Sequence, residues 1–148
     1  MPTLENTLLY LAVKNRPERS QFEDGLVLDG IDVTTFASAA ALWEAFQHRQ
    51  ARLVVTERRF DDDFDGLALT RAIRENFRLP HTYICMVSKL SHLNEIREGL
   101  AAGVDDYLVK PHNPFQIRTR VLVGLRWLTY IDSVLASLPP ERARPKSS

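Results

Sequence analysis

The chain has 148 residues, and its 19 lysines and arginines balance its 19 aspartates and glutamates. This length suits a single domain with a full core, and a hydrophobic share of 45% is ordinary for a globular protein. Zero formal net charge argues against a nucleic-acid-binding surface. The single cysteine, Cys85, excludes an internal disulfide. We find no signal peptide or membrane-length apolar run, so we expect a cytoplasmic protein without a membrane partner.

The first half of the chain alternates short apolar runs with amphipathic stretches. Residues 7–13 (TLLYLAV) form a run of strand length, and Pro17 starts the helix that follows. Residues 31–36 alternate apolar and polar side chains, which is typical of a strand near a sheet edge. Ser38 is the predicted cap of the second helix.

The second half repeats the pattern, with an acidic, irregular loop at 57–66 between the third strand and the third helix. The predicted elements are a strand at 53–56, a helix at 67–77, a strand at 83–87, a helix closing at Gly103, a strand at 107–109 and a helix from Asn113 to about Leu138.

Strand and helix thus alternate five times, which predicts a parallel sheet with helices on both faces. Right-handed crossovers bring the carboxyl ends of all parallel strands to one rim. We therefore expect the residues after Val13, the residues after Thr56, and Lys110 to lie close together.

The stretch from Gly103 to Pro111 reads Gly-Val-Asp-Asp-Tyr-Leu-Val-Lys-Pro. It resembles the last strand of the receiver domain of two-component response regulators, whose pattern is Gly-(Ala/Val)-Asp-Asp-Tyr-Leu-x-Lys-Pro. The resemblance covers roughly Thr7 to Ile131 and implies a flavodoxin-like (CheY-like) sheet of five parallel strands in the order 2-1-3-4-5. It also implies that Lys110 contacts a phosphorylated aspartate and that the bond before Pro111 is cis.

The resemblance further implies two acidic residues after the first strand, which hold Mg²⁺, and an aspartate after the third strand, which takes phosphate from a histidine kinase. In this chain Lys14 and Asn15 stand where the acids belong, and Glu57 stands at the acceptor position. The following loop is one residue longer than usual, so an alignment that puts Arg58 there stays open.

Two more positions match the family's pocket, Ser88 at its Ser/Thr position and Tyr107 at its aromatic switch position. Mg²⁺ prefers carboxylate oxygens, so replacing two acids by an ammonium and an amide predicts weak or absent Mg²⁺ binding and no metal site. Without the metal, phosphoryl transfer loses its main charge neutraliser. We therefore predict a pseudo-receiver with no catalytic residues, which is not an enzyme.

Two versions of this hypothesis stay open. In the first, Lys14 takes over the neutralising role of the metal, Lys110 pairs with Glu57, and the domain is locked in one signalling state. In the second, the pocket is inactive and the fold survives as a docking module.

Two other functions are possible on the sequence. One is a working response regulator with an unusual acceptor such as Glu57 or Asp61. The other is a small-molecule-binding flavodoxin-like domain, which is disfavoured because no phosphate-cradling glycine loop follows the first strand.

The last helix carries Val121, Leu128, Ile131 and Leu135 at the 3-4 spacing of a coiled-coil seam, which predicts a homodimer interface. Its residues 123–133 resemble the connection to a diguanylate cyclase (GGDEF) domain. The expected partners are thus a histidine kinase or an output domain such as a diguanylate cyclase. We predict a receiver-like domain over residues 1–131 and a disordered tail over 139–148.

Overall fold

The computed structural model describes residues 7–27, 31–76, 81–89, 93–110 and 113–139. Strands and helices alternate through this part of the chain. They are β1 (Leu8–Ala12), α1 (Arg16–Val27), β2 (Asp32–Phe36), α2 (Ala39–His48), β3 (Leu53–Glu57), α3 (Gly66–Glu75), β4 (Tyr83–Ser88), α4 (Leu93–Ala102), β5 (Asp106–Val109) and α5 (Pro114–Ala136). Pro111 and residues 140–148 lie outside the described residues, so the cis bond and the tail are not described, and the domain limit at residue 131 stays a prediction.

The five strands form one parallel sheet in the order β2-β1-β3-β4-β5. This confirms the flavodoxin-like fold predicted from the sequence. β2 lies at an edge of the sheet, as its alternating pattern indicated. The order places the carboxyl ends of β1, β3, β4 and β5 side by side, which is where doubly wound sheets bind their ligands.

Alternate residues of each strand serve two different cores. Leu9 and Leu11 of β1 face α1 and α5, whereas Tyr10 and Ala12 face α2 and α3. Cys85 belongs to the first core and is 1% exposed. Burial raises the pKa of its thiol, so the cysteine acts as a packing residue.

The two aspartates of the Gly103–Pro111 stretch form hydrogen bonds within the fold and do not line the cleft. Asp105 accepts hydrogen bonds from Arg74 of α3 and from the backbone of Ile84, both at 2.8 Å. Asp106 accepts a hydrogen bond from the Tyr83 hydroxyl at 3.1 Å. Since these bonds join α3, β4 and β5, this part of the family pattern is structural.

The packing of helix α5 contradicts the predicted dimer seam at two of its four residues. Val121 and Leu128 are 2% and 0% exposed and belong to the core of their own domain, because they pack under the sheet. Ile131 and Leu135 are half-buried. Asp132 binds Arg52 through two hydrogen bonds of 3.0 and 3.2 Å, which hold the helix against the start of β3. Val121 and Leu128 are therefore used within one chain and are not free for a second one. No helix among the described residues has the length and apolar character needed to cross a membrane.

We predict that Gly124→Ala destabilises the protein by about 1–3 kcal/mol. A Cβ atom there would lie 2.6 Å from Cδ1 of the Tyr83 ring, which is itself buried. This clash must outweigh the roughly 1 kcal/mol that alanine gains over glycine in a helix. Urea unfolding measures the difference, and Ser133→Ala, at an exposed site on the same helix, should change the free energy of unfolding by less than about 0.5 kcal/mol. A more stable Gly124→Ala variant would contradict the packing argument.

Candidate functional site

The carboxyl ends of the strands enclose a cleft of about 890 Å³. The cleft is lined by residues that follow β1, β3 and β5 and by residues of α1 and β4. Its lining consists of Lys14, Asn15, Arg16, Glu18, Glu57, Arg58, Arg59, Val87, Ser88, Lys89 and Lys110. The structure therefore brings together the predicted positions after three separate strands.

Glu57 is the last residue of β3, and its side chain is only 12% exposed. Its Oε2 accepts a hydrogen bond of 2.5 Å from Lys110 Nζ, and its Oε1 accepts one of 2.7 Å from the backbone N–H of Lys14. Of the two alignments that the sequence left open, the structure places Glu57, and not Arg58, against Lys110.

The ammonium of Lys110 bridges two carboxylates, because it also lies 2.7 Å from Glu18 Oε1. Its backbone N–H donates to the carbonyl of Ser88, which lies in β4 and is buried, and this fixes the lysine at the strand's end. Burial alone would lower the pKa of Lys110, but the hydrogen bonds to Glu18 and Glu57 outweigh it, and the pKa lies above its ordinary value.

Glu18 is a site residue that sequence reasoning missed. It lies in the first turn of α1, where its backbone N–H donates to the Asn15 side chain at 3.0 Å. Asn15 therefore caps the helix instead of taking the place of a ligand. The Pro17-Glu18 pair was visible in the sequence, but only the three-dimensional path of α1 shows that Glu18 reaches Lys110.

Lys14 does not take the role that the lock hypothesis gave it. Its ammonium lies 2.6 Å from Asp61, and the two side chains are 56% and 81% exposed. The hydrogen bond to Asp61 raises the pKa of Lys14. An exposed pair of this kind contributes little stability. Lys14 reaches Glu57 only through its backbone, so the neutralising cation in the cleft is Lys110.

Arg58 points toward α4, and its side chain is 10% exposed. Its Nη2 lies 3.6 Å from Glu98 Oε2, which is too long for a hydrogen bond. Among the described residues, its Nε and Nη1 have no hydrogen-bond partner. Its backbone N–H donates to the carbonyl of Val87 at 3.0 Å, which ties the exit of β3 to β4.

Tyr107 lies against α4, where its hydroxyl donates to the carbonyl of Glu95 at 3.2 Å. Burial raises the pKa of this hydroxyl. The ring fits because residue 99 is glycine, since a Cβ there would overlap the Tyr107 hydroxyl oxygen. A glycine inside a helix costs about 1 kcal/mol relative to alanine. The presence of Gly99 inside a predicted helix was therefore the only feature of the sequence that indicated a packing role.

A family model for the response regulator receiver domain matches residues 15–122. The chain belongs to this family. The transcriptional regulatory protein GltR of Pseudomonas aeruginosa is 32% identical to it over 108 residues, which cover 73% of this chain and 44% of GltR. The chain spans less than half the length of the curated relatives it matches.

Solved structures of receiver domains share the fold. The BeF₃-activated receiver domain of DrrB has a TM-score of 0.71 at 24% identity, covering 81% of this chain and 97% of that one. A two-component system response regulator/GGDEF domain protein has a TM-score of 0.77 at 21% identity, covering 85% of this chain and 52% of that one. At these identities the likeness concerns the fold alone.

We predict that Lys110→Met destabilises this receiver domain by about 1–3 kcal/mol near neutral pH, because Glu18 and Glu57 lose their shared cation. The folded-state pKa of Lys110 is raised above 10.5, so its contribution is fully present below pH 10.5 and is lost as the pH rises through the folded-state pKa. Urea unfolding of wild type and variant across this range measures the contribution.

The matched control for that experiment is Lys89→Met, which removes an exposed cation from the same cleft. It should change the free energy of unfolding by less than about 0.5 kcal/mol. Equal effects of the two variants would show that general charge, and not the bridge, stabilises the fold.

We also predict that Gly99→Ala turns the Tyr107 ring out of its place against α4 and breaks the bond to Glu95. A crystal structure or side-chain NMR shows the ring position directly. The same substitution is also made in a Tyr107→Phe variant, which lacks the hydroxyl oxygen that a Cβ at residue 99 would overlap. The destabilisation by Gly99→Ala should therefore be smaller when Tyr107→Phe is also present, and strict additivity of the two substitutions would argue against the contact.

Proposed function

We propose that this receiver domain acts as a protein-interaction module of two-component signalling without the usual phosphorylation of an aspartate, and that it is not an enzyme. The observation that carries the proposal is the Lys110 ammonium, which two carboxylates of the chain already hold. The family resemblance puts a phosphorylated aspartate on this lysine. In this chain Glu57 takes that place.

The donor set of the cleft supports function without Mg²⁺. The ion needs several oxygen ligands in near-octahedral geometry. Glu18 and Glu57 would have to leave Lys110 to supply them, and Lys14 adds a further cation to the rim. In the part of the chain that the structure describes, no group of three or more His, Cys, Asp or Glu side chains is arranged to hold a metal ion.

Of the two versions of the hypothesis, we favour the one in which the domain is locked in one signalling state, which we call the preset state, over the one in which the pocket is inactive. Glu57 extends far enough to bind Lys110 with its own carboxylate, and Tyr107 already lies against α4. Both contacts are formed by side chains of the chain itself and require neither a phosphoryl group nor a metal ion. The ion pair of Glu57 and Lys110 would then hold the domain in one signalling state.

The surface that α4, β5 and α5 share is the proposed docking face. It carries the exposed apolar side chains Leu93, Leu100, Val109 and Phe115, with exposures of 60%, 54%, 37% and 66%. Large apolar side chains that are exposed on neighbouring elements suit a protein-interaction surface. A histidine kinase or an output domain such as a diguanylate cyclase fits this role, and the response regulator/GGDEF protein of similar fold supports the second. Because the positive and negative charges of the chain balance, we infer that this face contacts a protein and not a nucleic acid. We also infer that the domain acts in the cytoplasm.

A homodimer through α5 stays a proposal, but through another stripe than the one predicted from the sequence. Val123, Trp127, Tyr130 and Val134 follow the 4-3-4 spacing of a coiled coil and are 41–61% exposed. Trp127 and Tyr130 stack on each other with ring centroids 5.9 Å apart. A second copy could cover these side chains without disturbing the core.

A working response regulator that is phosphorylated on Glu57 or Asp61 is less well supported. Glu57 is engaged by Lys110 and by the backbone of Lys14, and Asp61 pairs with the exposed ammonium of Lys14 instead of with Lys110. A flavodoxin-like domain whose main function is small-molecule binding is also less well supported than an interaction module, although the cleft is present.

We predict that incubation with acetyl phosphate and Mg²⁺ leaves the intact mass of the protein unchanged, because Glu57 is held and the metal has no ligand set. Intact-mass spectrometry of the full chain measures this, with a phosphorylatable receiver domain treated in parallel. A stable gain of one phosphoryl group would overturn the proposed function.

Glu57→Gln and Glu57→Asp test the preset state. The first removes the charge at constant length and the second shortens the side chain, so both should weaken the contact with Lys110. We expect a changed Tyr107 position and at least a roughly fivefold change in affinity for the partner, which corresponds to about 1 kcal/mol. If the rotamers of Ser88 and Tyr107 and the affinity stay as in wild type, the pocket is inactive and not preset.

A further inference from the structure

The cleft contains a buried cation whose hydrogen-bond donors are only partly satisfied within the described residues. The Arg58 guanidinium is nine-tenths buried, and among the described residues its Nε and Nη1 have no hydrogen-bond partner. Its nearest carboxylate is that of Glu98, at 3.6 Å from Nη2 and 52% exposed. Arg58 is the residue after Glu57 and lines the same cleft.

Such a group calls for a physical explanation. Most buried polar atoms of native proteins are hydrogen-bonded, and an exception often marks a place where a water or an ion binds. Leaving an arginine partly unpaired away from water is unfavourable, since guanidinium cannot give up its proton. A bound anion would remove this cost.

The charges around Arg58 favour an anion. Six lysines and arginines line the cleft against two carboxylates, and Lys110 binds both of those carboxylates. Lys14 and Arg59 are paired with Asp61 and Glu95. Arg16 and Lys89 are exposed at the rim, and within the described residues neither has an ion pair.

We propose that this cleft binds a small phosphate-bearing anion non-covalently, with Arg58 at its floor and Arg16 and Lys89 at its rim. The inference deepens the proposed function, on which it rests, because it names what could regulate a pocket that does not accept a phosphoryl group. Arginine offers planar, permanently charged donors that suit phosphate oxygens. The volume of about 890 Å³ lies in the range of small-molecule sites.

Isothermal titration calorimetry with inorganic pyrophosphate, without divalent ions, tests the proposal on the full chain. We expect saturable binding that exceeds the heat of a sodium chloride titration at equal ionic strength. Side-chain NMR should show a shift of the Arg58 Nε–H signal during the titration. A parallel titration with inorganic phosphate separates a site for one phosphate group from a site that requires two.

Variants locate the site. Arg16→Gln and Lys89→Gln should each weaken pyrophosphate binding roughly fivefold, and Arg58→Lys, which keeps the charge but loses the guanidinium donors, should weaken it roughly tenfold or more. Arg71→Gln is the matched control, because Arg71 is an exposed cation of α3 that does not line the cleft. If Arg58→Lys does not fold by circular dichroism, the two rim variants decide.

Heat no larger than that of sodium chloride would overturn the proposal, as would equal losses in the Arg16, Lys89 and Arg71 variants. Citrate that binds where pyrophosphate does not would refute the phosphate class. These results leave the proposed function untouched, because that function fails only when a phosphoryl group is gained covalently in the acetyl phosphate experiment.

Discussion

The contact on which this cleft depends is the one between the Lys110 ammonium and the carboxylates of Glu18 and Glu57. A lysine at the carboxyl end of a buried strand is only 14% exposed and needs counterions close by. β3 and α1 supply them, and the backbone bond to Ser88 fixes the lysine between them. The cation is therefore neutralised by residues of the chain itself, and no external group is needed to balance its charge.

This balance explains why changes at several pocket positions fit together. Both carboxylates of the cleft are bound to the Lys110 ammonium, so neither is free to serve as a ligand of a divalent ion. Lys14 contributes its backbone N–H to Glu57, so its side chain is free to extend toward Asp61. Asn15 caps α1 and thereby positions Glu18. Each residue at an acidic position of the family thus has another, local task in this chain.

The sequence predicted the fold well and the pocket only in part. Alternating apolar runs are local patterns that predict the elements and a parallel sheet, whereas the strand order follows from the family resemblance that the Gly103–Pro111 stretch carries. Glu18 and Gly99 were missed because their roles depend on how helices lie on the sheet, which no spacing shows. The spacing on the inner stripe of α5 predicts a dimer seam, because the inner and outer stripes have the same period. Burial of Val121 and Leu128 is a tertiary property, and it decides which stripe is free.

The neighbours Glu57 and Arg58 suggest how a receiver could signal without a covalent phosphoryl group. Glu57 contacts Lys110, whereas Arg58 extends to the α4 face, near Glu98 and the Tyr107 hydroxyl. The two residues are adjacent in the chain, so one peptide unit at the exit of β3 separates the carboxylate that binds Lys110 from the guanidinium near α4. The backbone N–H of Arg58 is in turn bonded to Val87 of β4, which holds this exit in place.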